Sequence, residues 1–361
     1  MEIRVEAGDI VRYPAKAIVV NLFEGVRTPG GATGAVDRAL DGAISRLIEE
    51  GEIRGKEGEL TVVHTLGRLP SPRVLVAGLG KQDDFGLRQV RDVTASALRH
   101  LRRLGADSVA TIVHGAGVGG LDPEQCAEAI AEGAVMGLYR FRRYKRDEDE
   151  REIREVVLVE ADASKLEALQ RGVERGRILG QAANHARDLA NEPANMLTPA
   201  EFAERARALA EDAGLECEVW GPEEIRNMGM GALLGVAAGS VQPPRFIVLR
   251  HRGRPDSQKT VGLLGKGITF DSGGISLKPA QGMEEMKGDM SGGAAVIATM
   301  WALGKLRAPI NVWGLVPATE NMPSGSATKP GDVLRARNGK TIEVINTDAE
   351  GRLILADAIC Y

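Results

Sequence analysis

The sequence predicts an α/β protein of two domains, and three observations support this. The chain has 361 residues, a length more typical of two domains than of one. Its hydrophobic content of 43% and charged content of 27% are those of an ordinary globular protein. Strand-like and helix-like segments alternate in both halves, as in sheets flanked by helices. We therefore expect an N-terminal α/β domain over residues 1–160, a connecting helix over residues 161–192 and a second α/β domain over residues 193–361.

The N-terminal half contains short β-branched runs between turn residues, and these runs are strand candidates. Apolar residues recur with helical spacing between some of them. The predicted strands are residues 17–21, 60–64, 73–76, 108–114 and 155–159, and the predicted helices are residues 34–50 and 90–104.

A glycine-rich segment, residues 115–120, follows one predicted strand and formally matches G-x-G-x-x-G. A dinucleotide-binding fold needs an acidic residue at the end of the next strand, about 20 residues further on. The next predicted strand, residues 155–159, comes too late to supply it. We therefore interpret this segment as a turn rather than as a cofactor site.

The C-terminal half repeats the alternation. A long helix is predicted over residues 166–189, and a second helix begins with Thr198 as cap and Pro199 in its first turn. An alanine-rich apolar stretch, residues 290–303, predicts another helix. The predicted strands are residues 216–220, 246–250, 261–264, 311–316 and 341–345, of which 261–264 and 341–345 are expected to be buried.

Three segments place charged residues beside glycines or small polar residues: residues 265–278, 286–293 and 346–353. Each lies next to a predicted strand or helix. Ligands of open α/β sheets gather at the carboxyl ends of strands, so we expect these segments to meet in one crevice.

Four carboxylates would then share the crevice, and they would repel one another unless protons or cations neutralised them. Oxygen ligands suit Mg²⁺ or Mn²⁺, and carboxylates also bind Zn²⁺. None of the five histidines falls in these segments, and no H-E-x-x-H motif is present. A solvated loop would explain any one segment alone. Together they favour a metal site held mainly by carboxylates: Asp271, Asp289, Asp348 and Glu350.

The octapeptide Asn-Thr-Asp-Ala-Glu-Gly-Arg-Leu at residues 346–353 resembles the signature of the leucyl aminopeptidases, the cytosol aminopeptidase family of two-metal exopeptidases. Residues 265–274 and 286–290 resemble the family's two other motifs, and the resemblance extends to the last residue of the chain. It implies a macro-domain-like N-terminal α/β domain and a catalytic α/β domain with a central mixed sheet.

The resemblance also implies a ligand set for two divalent cations, Mn²⁺ or Zn²⁺. Asp271 and Glu350 would bridge both cations. Lys266 and Asp289 would complete one coordination sphere, and Asp348 the other. A lysine ligand must be neutral, and adjacent cations depress an amine's pKa enough to allow this.

Two further residues would act on the substrate or on the attacking water. Lys278 would polarise the scissile carbonyl, and Arg352 would hold a bicarbonate-like anion that helps to deprotonate the water. The implied reaction releases leucine and similar residues from peptides with a free N-terminus.

Charge and cysteine content bear on which partners and which cellular compartment the protein has. A net charge of −4 and a pI near 5.9 give no basic bias toward nucleic acid or anionic membranes. Three widely spaced cysteines indicate a reducing compartment, so we expect a cytoplasmic protein. A DNA-binding regulator on the same fold is the alternative, because some relatives of the family have such a role. A catalytically inactive scaffold is disfavoured by the intact motif positions.

The chain ends at Tyr361, directly after an apolar run that predicts a buried helix, residues 353–360. Members of the resembled family continue well beyond this point. We therefore expect that the C-terminal part of the catalytic domain is missing and that this chain is poorly active, whereas the full-length protein forms a homo-hexamer.

Overall fold

A computed structural model describes residues 1–117, 119–145 and 151–361. The chain forms two compact units, Met1–Gln181 and Ala182–Tyr361. Each unit contains a sheet flanked by helices, which confirms the predicted α/β class. The domain limits at residues 160 and 192 stay a prediction. Among the described residues, every helix is too short or too polar to cross a bilayer.

The first unit is built on a six-stranded sheet. Its strands are β1 (Glu2–Ala7), β2 (Ala17–Leu22), β3 (Leu60–His64), β4 (Arg73–Gly78), β5 (Ser108–Thr111) and β6 (Glu155–Glu160). They lie in the order β1-β6-β5-β2-β4-β3. All neighbours are parallel except β3, which pairs antiparallel with β4. The carboxyl ends of β1, β6, β5, β2 and β4 therefore share one edge of the sheet.

Both faces of this sheet are buried. Val19 and Leu75 belong to one apolar cluster, whereas their neighbours Ile18 and Val74 belong to another. Successive side chains of a strand point to opposite faces, so the two clusters lie on the two sides of the sheet. The helices are α1 (Gly31–Ala39), α2 (Ala43–Glu49), α3 (Leu87–Arg103), α4 (Pro123–Gly137) and the first part of α5 (Leu166–Asn191), whose residues from Ala182 on belong to the second unit.

The single helix predicted over residues 34–50 is wrong, because the chain breaks it into α1 and α2. Asp41 and Gly42 adopt left-handed backbone conformations, with φ of 51° and 77°, which interrupts helical hydrogen bonding. Asp37 then accepts hydrogen bonds from the Ile44 N–H at 2.8 Å and the Ser45 hydroxyl at 2.6 Å. These bonds fix the start of α2.

The second unit contains a five-stranded mixed sheet and a separate two-stranded ribbon. The strand β11 pairs parallel with β9 and β10 and antiparallel with β8, which itself pairs antiparallel with β7. The strands are β7 (Glu216–Trp220), β8 (Arg245–Arg252), β9 (Thr260–Leu264), β10 (Gly267–Asp271) and β11 (Asn311–Asn321), and the ribbon is β12 (Val333–Arg335) with β13 (Thr341–Glu343).

Its helices pack on the sheet and carry much of the apolar core. Phe202, Ile247 and Val316 are fully buried members of one cluster, to which a helix and two strands contribute. The helices are α6 (Pro199–Asp212), α7 (Pro222–Asn227), α8 (Gly231–Ala237), α9 (Ser291–Lys305) and α10 (Glu350–Ile359).

Two strands of this unit were predicted to be buried, and the structure shows both to be partly exposed. The segment 341–345 was expected as a buried strand, but only Thr341–Glu343 is extended, and it belongs to the ribbon. Ile345 is 79% exposed. The strand predicted at 261–264 exists, yet Val261 is 53% exposed in this chain. Apolar composition alone does not reveal which strands are covered.

The sheet also contains more strand than predicted. The sequence did not predict β10 as a separate strand, because only two residues separate its first residue, Gly267, from the end of β9. Proline cannot donate a hydrogen bond to a sheet and is rarely found inside a central strand. Nevertheless, β11 continues through Pro317, which pairs with Phe246, and ends at Asn321 rather than at residue 316.

We predict that Asp357 stabilises the second unit. It is fully buried on α10, and its two oxygens accept hydrogen bonds from the Leu233 N–H at 2.9 Å and the Arg337 N–H at 2.8 Å. Asp357→Ala leaves the buried Leu233 N–H and the half-buried Arg337 N–H without this acceptor. The expected loss in the free energy of unfolding is on the order of 1–3 kcal/mol for the buried donor and less for the other.

Urea unfolding followed by tryptophan fluorescence measures this loss, because all three tryptophans lie in the second unit. Asp357→Asn is the matched control: it keeps one acceptor oxygen and should lose less stability than Asp357→Ala. An alanine variant that unfolds at the wild-type urea concentration would contradict the assignment.

Candidate metal centre

Two neighbouring parallel strands end side by side with Asp271 and Asn321. Asp271 closes β10, Asn321 closes β11, and the two residues are register partners. The Asn321 amide donates to Asp271 Oδ1 at 2.8 Å, to the Thr347 carbonyl at 3.0 Å and to Glu350 Oε2 at 3.4 Å. One buried amide therefore fixes two of the predicted carboxylates. The sequence analysis missed Asn321 because it ended this strand too early.

A short turn, residues 346–349, brings Asp348 and Glu350 to the same edge. Its Thr347 hydroxyl donates to the Gly273 carbonyl at 2.7 Å and accepts from the Ser276 N–H at 2.8 Å. Asp348 and Glu350 therefore do not reach the site from the end of a sheet strand, as predicted. They reach it because Thr347 and Asn321 fasten the start of α10 to the loop after β10.

Glycines make this close approach possible. Gly273 and Gly274 have φ of +87° and +68°, conformations that glycine adopts without strain. A Cβ at Gly273 would clash with the Ser276 carbonyl and lie 3.2 Å from Asp348 Oδ1. A Cβ at Gly351 would lie 2.9 Å from Cδ of Lys266. Side chains at these positions would separate the charged groups.

Lys266 lies on the link between β9 and β10 and contacts two carboxylates. Its Nζ is 2.8 Å from Asp289 Oδ2 and 2.5 Å from Glu350 Oε1. Burial lowers the pKa of Lys266, but hydrogen bonds and charge interactions with these carboxylates outweigh burial, so the net pKa is raised. The Gly293 N–H donates to the Lys266 carbonyl at 2.7 Å, which holds the start of α9 against this link.

Asp289 lies between a 3₁₀ turn and α9, as the sequence predicted for a residue near a helix start. Burial raises the pKa of Asp289 to about 6, although the charge on Lys266 opposes this. Its buried Oδ2 is the oxygen that lies 2.8 Å from Lys266 Nζ, so an ammonium group already holds positive charge against this carboxylate.

Lys278 occupies the other side of the cluster. Its Nζ lies 2.9 Å from Asp271 Oδ2 and also forms an ion pair with Asp348. Partial burial lowers the pKa of Lys278, but hydrogen bonds to Asp348 and Asp271 outweigh burial and hold it above its usual range. Arg352 is exposed on the first turn of α10 and, among the described residues, has no ion-pair partner.

The residues present fit a divalent metal site. Oxygens of Asp271, Asp348 and Glu350 lie within 4.8 Å of one another. With Asp289, four carboxylates meet two lysine ammonium groups, so the fully ionised cluster carries a net charge of −2. Hard oxygen donors with an excess of negative charge favour divalent cations. Six of the seven predicted site residues converge, and Arg352 follows two residues after Glu350 on the same first turn of α10.

Models of known families match most of the chain. The catalytic domain of the cytosol aminopeptidase family matches residues 184–361, and the N-terminal domain of the same family matches residues 19–148.

Similar proteins include two that are described as probable cytosol aminopeptidases. The protein from Alkaliphilus metalliredigens (strain QYMF) is 42% identical over 364 residues, which covers 100% of this chain and 73% of the relative. The protein from Roseiflexus castenholzii (strain DSM 13941 / HLO8) is 43% identical over 364 residues, covering 100% of this chain and 72% of the relative.

Solved structures with the same fold include a tomato leucine aminopeptidase mutant, with a TM-score of 0.85 and 29% identity, covering 100% of this chain and 71% of that one. Another is the bottromycin maturation enzyme BotP in complex with Mn, with a TM-score of 0.79 and 36% identity, covering 95% of this chain and 68% of that one.

The sequence resemblance is thus confirmed over the whole chain, and the carboxylate cluster fits the divalent metal use of this family. The chain belongs to the cytosol aminopeptidase family and is a metal-dependent aminopeptidase, a hydrolase that acts on peptides.

Proposed function

We propose that the chain binds two divalent cations, Mn²⁺ or Zn²⁺, and uses them to release N-terminal residues from peptides. The observation that carries this proposal is the convergence of Asp271, Asp348 and Glu350 within 4.8 Å, flanked by two lysines. The proposed metal ligands are Lys266, Asp271, Asp289, Asp348 and Glu350.

The arrangement of the ion pairs supports two positions rather than one. Lys266 lies between Asp289 and Glu350, whereas Lys278 lies between Asp271 and Asp348. Each ammonium group lies at a position where two carboxylates stabilise a positive charge, and each position is therefore a candidate cation site. Asn321 contacts both Asp271 and Glu350, so these two carboxylates lie between the two places and are the candidates to bridge.

When bound, the two cations would supply the Lewis acidity that activates water near neutral pH. Lys278 stays protonated and donates a hydrogen bond to the carbonyl oxygen of the scissile peptide, where negative charge develops. Lys266 must lose its proton to offer a lone pair as a ligand. The guanidinium group of Arg352 would bind a bicarbonate-like anion through two parallel hydrogen bonds.

The substrates we propose are peptides with an unblocked N-terminus, with leucine and similar residues released. The description of the tomato neighbour as a leucine aminopeptidase supports this preference. The description of the bacterial relatives as cytosol aminopeptidases supports a cytoplasmic location. A homo-hexamer rests on the family resemblance alone. Neither the relatives named above nor the described residues provide an observation in favour of the DNA-binding alternative.

Activity should require metal and a free amine. Leucyl anilide should be hydrolysed with added Mn²⁺ or Zn²⁺, its N-acetylated form should not, and exhaustive chelation should abolish turnover until metal is returned. The reason is that a free α-amine is a metal ligand and an acylated nitrogen is not. Release of aniline measured from both substrates checks this. Equal rates for the two substrates, or full activity after chelation, would contradict the proposal.

The variants Glu350→Ala and Lys278→Ala should differ in metal content. Glu350→Ala should lose bound metal and turnover together. Lys278→Ala should keep its metal but turn over about 100- to 1000-fold more slowly, the typical effect of removing one oxyanion donor. Elemental analysis with kinetics separates the two. Lys259→Ala, at an exposed position, is the matched control and should resemble wild type. Metal retained in Glu350→Ala would contradict the ligand assignment.

Metal affinity should rise with pH. In the metal-free protein the pKa of Lys266 is raised, so cation binding must expel its proton, and affinity should increase about tenfold per pH unit above pH 7. Below a pH of about 6 the slope should steepen, because Asp289, with a pKa of about 6, is then also protonated.

Titration calorimetry with Mn²⁺ from pH 5.5 to 8.5 measures these slopes. In Lys266→Ala the dependence above pH 7 should flatten, since the proton is no longer there to expel. A wild-type dissociation constant that is unchanged between pH 7 and 8.5 would show that Lys266 is not a ligand.

A further inference from the structure

The loop that carries Lys278, residues 272–278, has little apolar packing of its own. It follows β10 directly, and its two large apolar side chains, Ile275 and Leu277, are 44% and 61% exposed. Apolar side chains that remain in water contribute little to the stability of a conformation. The position of Lys278 therefore depends mainly on the hydrogen bonds that this loop makes.

One set of hydrogen bonds fastens the two ends of the loop to β11. The Ser272 hydroxyl donates to the Asn321 carbonyl at 2.7 Å, and the Ser272 N–H donates to the same oxygen at 3.0 Å. The Ser272 carbonyl in turn accepts from the Lys278 N–H at 2.9 Å, which closes the loop. These bonds fix the backbone of Lys278 relative to the strand. They involve no residue of the turn that carries Asp348.

A second set of hydrogen bonds joins the middle of the loop to that turn, and it is reciprocal. The Ser276 N–H donates to the Thr347 hydroxyl at 2.8 Å, and the Thr347 N–H donates to the Ser276 hydroxyl at 3.2 Å. The Thr347 hydroxyl also donates to the Gly273 carbonyl at 2.7 Å. Thr347 is 5% exposed, so water is poorly placed to replace these bonds when the hydroxyl is removed.

Glycines let the loop approach the turn closely, and they also leave it free to move. A Cβ at Gly274 would lie 3.0 Å from the Thr347 hydroxyl oxygen, so a side chain there would push the loop and the turn apart. Glycine has more backbone freedom than any other residue. Without the Thr347 hydroxyl, the glycines at 273 and 274 would therefore let the middle of the loop shift while its closed ends stayed in place.

The reciprocal pair lies beside only one of the two candidate cation positions. Thr347 is followed directly by Asp348, and the loop ends at Lys278, whose Nζ contacts both Asp271 and Asp348. Asp271 is fixed by its own strand pairing. The distance from Asp271 to Asp348 therefore depends on how the turn is held to the loop.

The other candidate position, at Lys266, has anchors that do not involve this pair. Glu350 begins α10, which is held in place by the two hydrogen bonds to the buried Asp357. Asp289 precedes α9, whose first turn is held against the Lys266 carbonyl. Loss of the Thr347 hydroxyl should therefore affect the two positions unequally.

We propose that Ser276 and Thr347 are a positioning pair. Their reciprocal hydrogen bonds set the distance between the loop and Asp348, and through Asp348 they control the affinity of the cation position between Asp271 and Asp348. Removing a residue that orients a metal ligand typically weakens metal binding about 10- to 100-fold. The inference rests on the two-cation function proposed above, and it adds which residues govern one of the two positions.

Titration calorimetry with Mn²⁺ on Thr347→Val and Thr347→Ser tests the pair. Valine has nearly the shape of threonine without the hydroxyl, whereas serine keeps the hydroxyl. Wild type should bind two Mn²⁺ ions per chain in two events, and Asp348→Asn identifies the event that belongs to the position at Asp348. Thr347→Val should weaken that event about 10- to 100-fold and leave the other near wild type. Thr347→Ser should keep both near wild type.

A second measurement needs no metal and therefore separates this inference from the proposed function. Reductive methylation in EDTA, followed by peptide mass spectrometry, reports how accessible each lysine amine is and how readily it loses its proton. Thr347→Val should raise the labelling rate of Lys278 about threefold or more, because the amine loses part of its contact with Asp348. Labelling of Lys266 should stay unchanged and is the internal control.

The outcomes distinguish the two claims. A wild type that binds fewer than two Mn²⁺ ions, together with the labelling change at Lys278, would contradict the two-cation function and support the positioning pair. The pair is overturned if Thr347→Val weakens both binding events equally or neither, if Thr347→Ser behaves like Thr347→Val, or if labelling of Lys278 is unchanged. Should Thr347→Val fail to melt cooperatively, Ser276→Ala, at a half-buried position, decides by the same two measurements.

Discussion

Repulsion between carboxylates is the constraint on which the second unit depends. Asp271, Asp348 and Glu350 hold oxygens within 4.8 Å of one another, and Asp289 joins them through Lys266. Like charges this close destabilise each other unless a proton, a cation or a hydrogen-bond donor intervenes. Lysine ammonium groups and one buried amide fulfil this need in the structure described. A divalent cation would fulfil it more completely, and bound metal would then stabilise the folded chain.

The fold meets this constraint by bringing rigid strand ends and glycine-rich loops together. Parallel pairing of β10 with β11 puts Asp271 beside Asn321, and Thr347 anchors the next segment to the same loop. Glycines at positions 273 and 351 leave room for charged side chains that a Cβ would push apart. Precise placement of these carboxylates therefore comes from backbone contacts as much as from the charged residues themselves.

Local sequence predicted the chemistry of this site better than its architecture. The three charged, glycine-rich segments were recognisable because each contains its charges within a few residues. Asn321 was not, because its role depends on pairing between β10 and β11, which are some 40 residues apart in sequence. The exposure of β9 likewise depends on tertiary contacts, whereas the break at Asp41 and Gly42 is fixed locally by Asp37.

The central claim is that Asp271 and Glu350 share two cations. Anomalous diffraction at the manganese edge, from crystals of this chain soaked in Mn²⁺, tests it most directly. We predict two peaks about 3.5–4 Å apart, both in contact with Asp271 and Glu350, with Lys266 and Asp289 next to one and Asp348 next to the other. A single peak, or two peaks that share neither carboxylate, would contradict this account.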